Sequence, residues 1–464
     1  MKKTKILCTL GPASTDLLTI KRMHKAGMNA VRLNTAFGSL KEYRKVIRLV
    51  RSVSDIPVVV DIKGPEIRLK SRLKEVMVAS NSLVKVGFRS SDALSFNRRI
   101  YGQIAPGDTI LLNKGKVKAR VASKASGYIQ LQFKRECVLK DGGGVNVPGK
   151  RLVVPTLSDR DREIIRFAKR MKLEYIALSF TRNVDDVKAL KNALRGSDAG
   201  VIAKIENSEG VENAEEILMS CDGVMIARGD LGIEVPSERI PLIQKGLINR
   251  CNQLGKISIV ATEMLHTMIE SPEPTRAETS DVANAILDGA DVVMLSGETA
   301  VGKFPVEAVK TMTRIAIEVE NHLPLKPLDE EVHDSISLAI SKAVTSVIGT
   351  VEVDKIVVAT RTGYTAMLIS NFRVAKDIIA ITDSEIVCRK LHLVYAIQPI
   401  VHPMFKNREK ILEVARYCHH LGLVKRSDLV LFTAGLYTRK PTTNILQLHR
   451  ISELLDYGRR IRRG

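Results

Sequence analysis

Two short apolar runs that each end in charge constrain this chain more than any other feature. Gly200-Val201-Ile202-Ala203 delivers Lys204 and Glu206, and Gly223-Val224-Met225-Ile226 delivers Arg228 and Asp230. Parallel strands buried on both faces read as nearly continuous apolar runs, and in a barrel they display polar groups at their C-terminal ends. Two carboxylates with a lysine beside them fit a divalent metal, because a hard cation takes oxygen ligands and the lysine leaves room for an anionic group. The expected chemistry is metal-assisted handling of an anionic substrate.

The rest of the chain supports that architecture. Strand-like runs Lys5-Ile6-Leu7-Cys8-Thr9, Ala30-Val31-Arg32-Leu33 and Pro57-Val58-Val59-Val60 alternate with amphipathic stretches, the rhythm of a parallel sheet or barrel. From about Leu69 the pattern becomes short alternating runs with turn signals such as Pro106-Gly107-Asp108, and a glycine triplet, Gly142-Gly143-Gly144, reads as a hinge. The β/α pattern resumes at Val153, and Pro324-Leu325-Lys326-Pro327 reads as a linker. The expected fold is α/β: a (β/α)8 barrel over residues 1–68 and 151–322, a small all-β lid inserted at 69–150, and a C-terminal α/β domain over 330–464 with a regulatory or oligomerisation role.

Charge narrows the partners. The 464 residues carry 72 Lys and Arg against 51 Asp and Glu, a net charge of +21. Such an excess favours phosphorylated metabolites and polyanions and concerns association, not fold. Nucleic-acid binding adds stacking aromatics or a recognisable module to charge, and this chain has no Trp and only 4% aromatic residues. Nucleic acid is therefore not the expected partner. No apolar run approaches the roughly 18 residues of a spanning helix, and the N-terminus passes straight into a strand-like run, so a cytoplasmic protein without membrane contact is expected. Six scattered cysteines without a CxxC pair suggest reduced thiols.

Five clusters follow or close the strand-like runs: Arg32-Leu33-Asn34, Asp61 to Arg68, Lys204-Ile205-Glu206-Asn207, Ala227-Arg228-Gly229-Asp230 and Ala261-Thr262-Glu263-Met264-Leu265. Together with Thr9-Leu10-Gly11-Pro12-Ala13-Ser14, Pro274-Thr275-Arg276-Ala277-Glu278, Met294 to Ala300 and Pro441-Thr442-Thr443-Asn444, they closely resemble the pyruvate kinase family over nearly the full length. The resemblance implies transfer of the phosphoryl group of phosphoenolpyruvate to a nucleoside diphosphate. It makes Glu206 and Asp230 the Mg²⁺ ligands and Lys204 the group that neutralises the phosphoryl in transit. Thr262 becomes the hydroxyl that assists enolate protonation, and Arg32 the arginine on the substrate phosphate. Backbone N–H groups of Ala227, Arg228, Gly229 and Asp230 hold the substrate carboxylate. Asn34, Lys63 and Arg68 line the nucleotide side, and Asn34 and Asp61 are the K⁺ candidates. Taken singly, Lys204 or Arg32 reads equally as a structural ion-paired residue, and Asp230 as a helix cap. Glu298 and Arg276 read as structural.

Departures from the family cluster on the nucleotide and K⁺ side. Thr35-Ala36-Phe37-Gly38 stands where the family has Phe-Ser-His-Gly, so Ala36 replaces a serine that is a usual K⁺ ligand. Ile62 replaces a threonine, while Glu66 is the type associated with K⁺ dependence. In the insert, Asn113-Lys114-Gly115 replaces Asp-Asp-Gly, Gly143 replaces a nucleotide-contacting lysine, and Glu263 replaces a glutamine. Three readings remain open on the residues: a working kinase with altered nucleotide or cation preference, Mg²⁺-enolate chemistry on pyruvate or oxaloacetate, or a non-catalytic binding protein. Thr360-Arg361-Thr362-Gly363-Tyr364-Thr365, at a strand-to-helix turn, reads either as a phosphate cradle for an effector or as an ordinary cap. The family resemblance further implies a homotetramer.

Overall fold

The computed structural model describes residues 2–89, 91–113, 115–323, 336–402, 410–435 and 443–461. Lys114, the Pro324-to-Pro327 linker, and Pro441 and Thr442 lie outside them.

Eight parallel strands close into a barrel: β1 Lys5–Leu10, β2 Ala30–Asn34, β3 Val58–Ile62, β4 Tyr175–Leu178, β5 Gly200–Ile205, β6 Gly223–Ala227, β7 Ile257–Ala261 and β8 Val292–Leu295. Neighbours around the ring follow chain order, and β1 pairs with β8 to shut it. Each strand is covered on both faces, and its side chains alternate between them. On β5, Val201, Ala203 and Ile205 pack outward under the helices, while Ile202 joins the inner stack with Ala30, Val59, Ala177 and Met225. The same two-residue period carries Lys204 and then Glu206 to the inside at the barrel mouth. On β2 and β3 it sends Arg32 and Asp61 there above Ala30 and Val59. A buried apolar floor thus forces the polar residues to the C-terminal rim.

The insert leaves the barrel after β3 and is all-β, with a seven-stranded sheet, a two-stranded sheet from Glu75–Val78 and Cys137–Lys140, and its own apolar core. The glycine triplet is not a free hinge. Gly142 N donates to Leu69 O, Leu69 N to Gly143 O, and Gly144 bridges Arg68, so the segment is bonded to the outgoing strand. The chain then pairs once more, Val145–Asn146 against Thr109–Leu112, before re-entering the barrel.

The C-terminal part holds a five-stranded sheet, four strands parallel and Ile445–Arg450 antiparallel at its edge. Its core is continuous with the inner barrel stack. Charged ties reinforce the junction: Lys5 Nζ donates to Ile397 O at 2.7 Å, and Glu174 accepts from Arg389 at 2.7 Å and Arg51 at 2.6 Å. The six cysteines are free, five of them buried. Among the described residues no helix is long and apolar enough to cross a membrane.

Candidate active site

Four charged side chains from β2, β3 and the end of β5 meet at the barrel mouth. Asp61 Oδ2 accepts from Arg32 Nε and Nη2, both at 2.7 Å, and lies 3.1 Å from Lys204 Nζ. Lys204 Nζ also reaches Glu206 Oε1 at 2.9 Å, and Arg32 Nη1 donates to Thr9 Oγ1 at 3.0 Å. Arg32, Asp61, Lys204 and Glu206 are all buried. Two cations and two carboxylates in one buried cluster form a pre-oriented electrostatic site, in which attraction is stronger than in water.

Burial would raise the Asp61 carboxyl, but Lys204 and then Arg32 outweigh it and hold Asp61 below the usual range. Burial likewise pulls Lys204 down, and Asp61 and Glu206 more than restore it, so it stays charged. Glu206 goes the other way. Burial, with the Asp230 and Asp61 charges adding to it, pushes its pKa up to about 7 despite Lys204. A carboxylate this close to neutral pH is poised to exchange its proton for a cation.

The Asp230 carboxylate, in the first turn of helix Arg228–Glu234, makes no side-chain hydrogen bond or ion pair among the described residues. Glu206 Oε2 accepts from Phe180 N at 2.7 Å. Among the described residues no three His, Cys, Asp or Glu side chains form a metal-holding group. Two hard carboxylates, Asp230 without a side-chain partner among the described residues and Glu206 with few, are the donor type that suits Mg²⁺. The K⁺ candidates fit less well. Both Asp61 carboxylate oxygens are engaged, its carbonyl takes Thr35 Oγ1 at 2.7 Å and Thr35 N at 3.1 Å, and Asn34 Oδ1 accepts Ala36 N at 3.1 Å. Ala36 offers no oxygen in its side chain, and Phe37 is 75% exposed.

Thr262 sits just after β7 with φ +67, followed by Glu263 at φ +56. A β-branched residue in the left-handed region is uncommon and strained. Its Oγ1 donates to Ala261 O at 2.6 Å and accepts from Gly229 N at 2.9 Å. The Arg228 side chain turns away from the mouth, to Asp281 at 2.7 Å and Thr262 O at 2.7 Å. On the insert side, Arg68 pairs with Glu66 at 2.8 Å and donates to Gly142 O at 2.9 Å, and Lys63 N donates to Asp161 Oδ1 at 3.1 Å. Burial, with Arg68 next, lowers the Lys63 ammonium. Asn113 donates Nδ2 to Val138 O at 2.6 Å, and a side chain at Gly143 would strike Asn113 Oδ1. These two departures from the family are thus packed against each other.

Glu298 is structural: its carboxylate accepts Leu265 N at 3.1 Å and Ser296 N at 2.7 Å, tying the ends of β7 and β8. Sequence reasoning missed Ser179, which donates to Asp61 Oδ1 at 2.9 Å and accepts from Lys204 Nζ at 2.8 Å. Its signal was the end of the run Tyr175-Ile176-Ala177-Leu178, the fourth barrel strand, where a polar rim residue is due.

The comparisons with known proteins agree with this geometry. Residues 1–309 match the family model "Pyruvate kinase, barrel domain" and residues 338–449 match "Pyruvate kinase, alpha/beta domain". The chain belongs to the pyruvate kinase family. It is 41% identical to a pyruvate kinase of Geobacillus stearothermophilus, with all of this chain and 82% of the relative aligned. It is 40% identical to one of Staphylococcus haemolyticus, over all of this chain and 83% of the relative. The crystal structure of a pyruvate kinase from Cryptosporidium parvum superposes with a TM-score of 0.88 at 31% identity, covering 97% of this chain and 96% of that one. As a pyruvate kinase family member this chain is a phosphotransferase. The family generally uses Mg²⁺ and K⁺.

Proposed function

We propose that this chain transfers the phosphoryl group of phosphoenolpyruvate to a nucleoside diphosphate, with residues 1–68 and 151–322 as the catalytic unit and 69–150 as its lid. The observation that carries the reading is Lys204, buried, charged and shared between Asp61 and Glu206 at the barrel mouth. Phosphoryl transfer is mostly positioning and charge neutralisation, and Lys204 and Arg32 are the two buried cations aimed there. Arg32, braced by Asp61 and Thr9, would hold the substrate phosphate, and Lys204 would follow the phosphoryl as it leaves. The Ala227–Asp230 backbone would receive the carboxylate, with Gly229 N–H changing partner from Thr262 Oγ1. Thr262 would then pass a proton to the enolate carbon, and Asn34, Lys63 and Arg68 would face the nucleotide phosphates. Glu206 and Asp230 would hold Mg²⁺, which when bound supplies Lewis-acid stabilisation of enolate oxygen charge.

The deciding assay is pyruvate formation from phosphoenolpyruvate with Mg²⁺, with and without K⁺, across ADP, GDP, UDP and CDP. Nucleotide-dependent turnover is expected, and none with any acceptor would sink the reading. Because the K⁺ oxygens are already engaged, K⁺ should stimulate it by less than about threefold, a small differential on the scale where 1.4 kcal/mol is tenfold. The same assay tests the C-terminal loop. There Thr360 Oγ1 accepts Gly363 N at 2.9 Å ahead of helix Tyr364–Asn371, and Thr365, in the first turn of that helix, has its Oγ1 2.7 Å from Thr443 Oγ1. A sugar phosphate or nucleoside monophosphate that changes the rate in the parent but not in Thr365→Val would support an effector cradle. No response to any would leave the loop an ordinary cap.

Glu206 supplies a pH signature. Its folded pKa lies above the ordinary carboxylate value, so the proton is held more tightly by the folded protein, and Mg²⁺ must displace it below about pH 7. Calorimetric titration should show Mg²⁺ affinity falling by up to about tenfold per pH unit below 7 and levelling above it. By linkage, the same raised pKa contributes stability in the metal-free protein below the unfolded value, lost as pH rises through 7. A flat Mg²⁺ affinity between pH 6 and 8 would mean that Glu206 is ionised throughout.

A further inference from the structure

The side chain of Arg228 has no role in the proposed function, which uses only its backbone, yet both of its terminal nitrogens are engaged behind the site. Nη1 donates to Asp281 Oδ1 at 2.7 Å and approaches Gln244 Oε1 at 3.4 Å. Nη2 donates to the backbone oxygen of Thr262 at 2.7 Å and lies 2.9 Å from Met264 Sδ. Arg228 is buried, and its anchors come from two separate helices, Ile240–Leu254 for Gln244 and Arg276–Leu287 for Asp281. Gln244 is itself held, through Nε2 to Asp288 Oδ2 at 3.2 Å. The carbonyl that this assembly grips belongs to the first of two consecutive non-glycine residues with positive φ. Such conformations persist only where the surroundings over-determine them, and they cluster at functional sites.

Residues 228 and 229 therefore hold Thr262 from two sides. The Arg228 guanidinium fixes its carbonyl, and the Gly229 N–H meets its hydroxyl at 2.9 Å. With the carbonyl pinned, an anion that takes over the Gly229 N–H leaves the hydroxyl held only by its own bond to Ala261 O at 2.6 Å, and a rotation about χ1 that breaks that bond frees the proton without moving the backbone. Without the pin, the strained Thr262-Glu263 segment can relax toward ordinary φ and carry the hydroxyl off line.

We propose that Arg228, held by Asp281 and Gln244, is a positioning residue that locks the left-handed backbone of Thr262 and so aims the hydroxyl at the enolate. This rests on the reading of Thr262 as the group that assists enolate protonation. In that step the proton leaves the Thr262 hydroxyl for the enolate methylene carbon, the carbon–carbon π pair forms the new C–H bond, the enolate oxygen becomes the ketone carbonyl, and solvent returns a proton to the hydroxyl. The reverse of this step exchanges the methyl hydrogens of pyruvate with solvent.

The test follows that exchange in D2O by proton NMR with Mg²⁺ present, beside kcat and KM for phosphoenolpyruvate, in Arg228→Lys, Asp281→Asn and Thr262→Val. Lysine keeps the charge but cannot span Asp281 and the Thr262 carbonyl with two nitrogens. Misplacing a reacting group by about 1 Å costs on the order of 100-fold, so Arg228→Lys should slow exchange by about that factor and Asp281→Asn by about tenfold. KM for phosphoenolpyruvate should change by less than about threefold in both, since uniform binding is untouched. Asp281→Glu should recover most of the exchange rate, which a merely structural loss of the helix would not allow. If Arg228→Lys does not fold, Asp281→Asn and Gln244→Leu test the same lock from outside the turn. Exchange within about twofold of the parent in these variants, while Thr262→Val is slow, would overturn the positioning role. Unchanged exchange in Thr262→Val would instead overturn the reading of Thr262 on which the role rests.

Discussion

Lys204→Met is expected to lower kcat for pyruvate formation by about 10³-fold or more, the range found when a cation that neutralises a transferring phosphoryl group is removed. Methionine nearly matches the lysine stem in volume and apolarity, so the loss falls on charge. The Lys204 ammonium is within 3.1 Å of Asp61 and 2.9 Å of Glu206, and without it the two carboxylates fare differently. Asp61 keeps Arg32 and Ser179. Among the described residues Glu206 keeps only the Phe180 N–H as a direct donor and, being buried, should take up a proton at neutral pH. The variant should therefore stay folded, because protonation relieves the uncompensated charge. Exchange of the pyruvate methyl hydrogens needs the Thr262 hydroxyl and not the lysine, so at Mg²⁺ high enough to displace the Glu206 proton it should survive better than phosphoryl transfer. Turnover within tenfold of the parent would remove Lys204 from the mechanism. Equal loss of transfer and exchange would point to a collapsed site.

The readable part of this site was set by strand periodicity. Glu206 follows the last residue of β5, Lys204 and Asp61 are the next-to-last residues of β5 and β3, and Arg32 lies mid-strand in β2, where its charge is met by Asp61; two-residue alternation turns all four inward at the mouth. What escaped was whatever depended on packing between distant segments. Ser179 lies between Asp61 and Lys204 because β4 stands between β3 and β5, a pairing of β3 with β4 made across the whole length of the insert. Asp281 and Gln244 are ordinary polar helix residues in the sequence, and they matter because their helices converge on Arg228. The partners of the glycine triplet were hidden for the same reason. Glycine permits a hinge, but it also permits the close backbone approach that lets Gly142, Gly143 and Gly144 bond along the Arg68-Leu69 segment. The K⁺ question turned on partners as well. Asp61 looks like a free ligand in sequence, whereas in the fold two cations and a serine already hold it.

The largest expected effect on stability lies away from the mouth, where no motif drew notice. Arg373 enters the base of the barrel from the C-terminal part. Nη1 donates to Asp291 Oδ1 at 2.9 Å, and Nη2 donates to Asn252 Oδ1 at 2.7 Å and to Gly289 O. Asp291 in turn accepts Ser258 N at 2.9 Å, Ser258 Oγ at 3.0 Å and Tyr395 N at 3.3 Å, so one carboxylate ties β7, β8 and the C-terminal part together. Both charges are buried. Removing one partner of a buried pair leaves the other uncompensated and costs about 3–5 kcal/mol, more than the intact pair itself contributes. Arg373→Met should therefore lower the thermal midpoint by on the order of 10 °C, with the C-terminal part separating from the barrel before the barrel melts. Adding Asp291→Asn should cost less than the two single losses summed, because the amide no longer buries a charge while its oxygen still accepts from Ser258. Purely additive losses would show that Arg373 acts through its packing over Tyr395, 4.6 Å from the ring centre, and not through Asp291. The parent and both variants should keep the same Mg²⁺ affinity, since Glu206 and Asp230 lie at the opposite end of the strands.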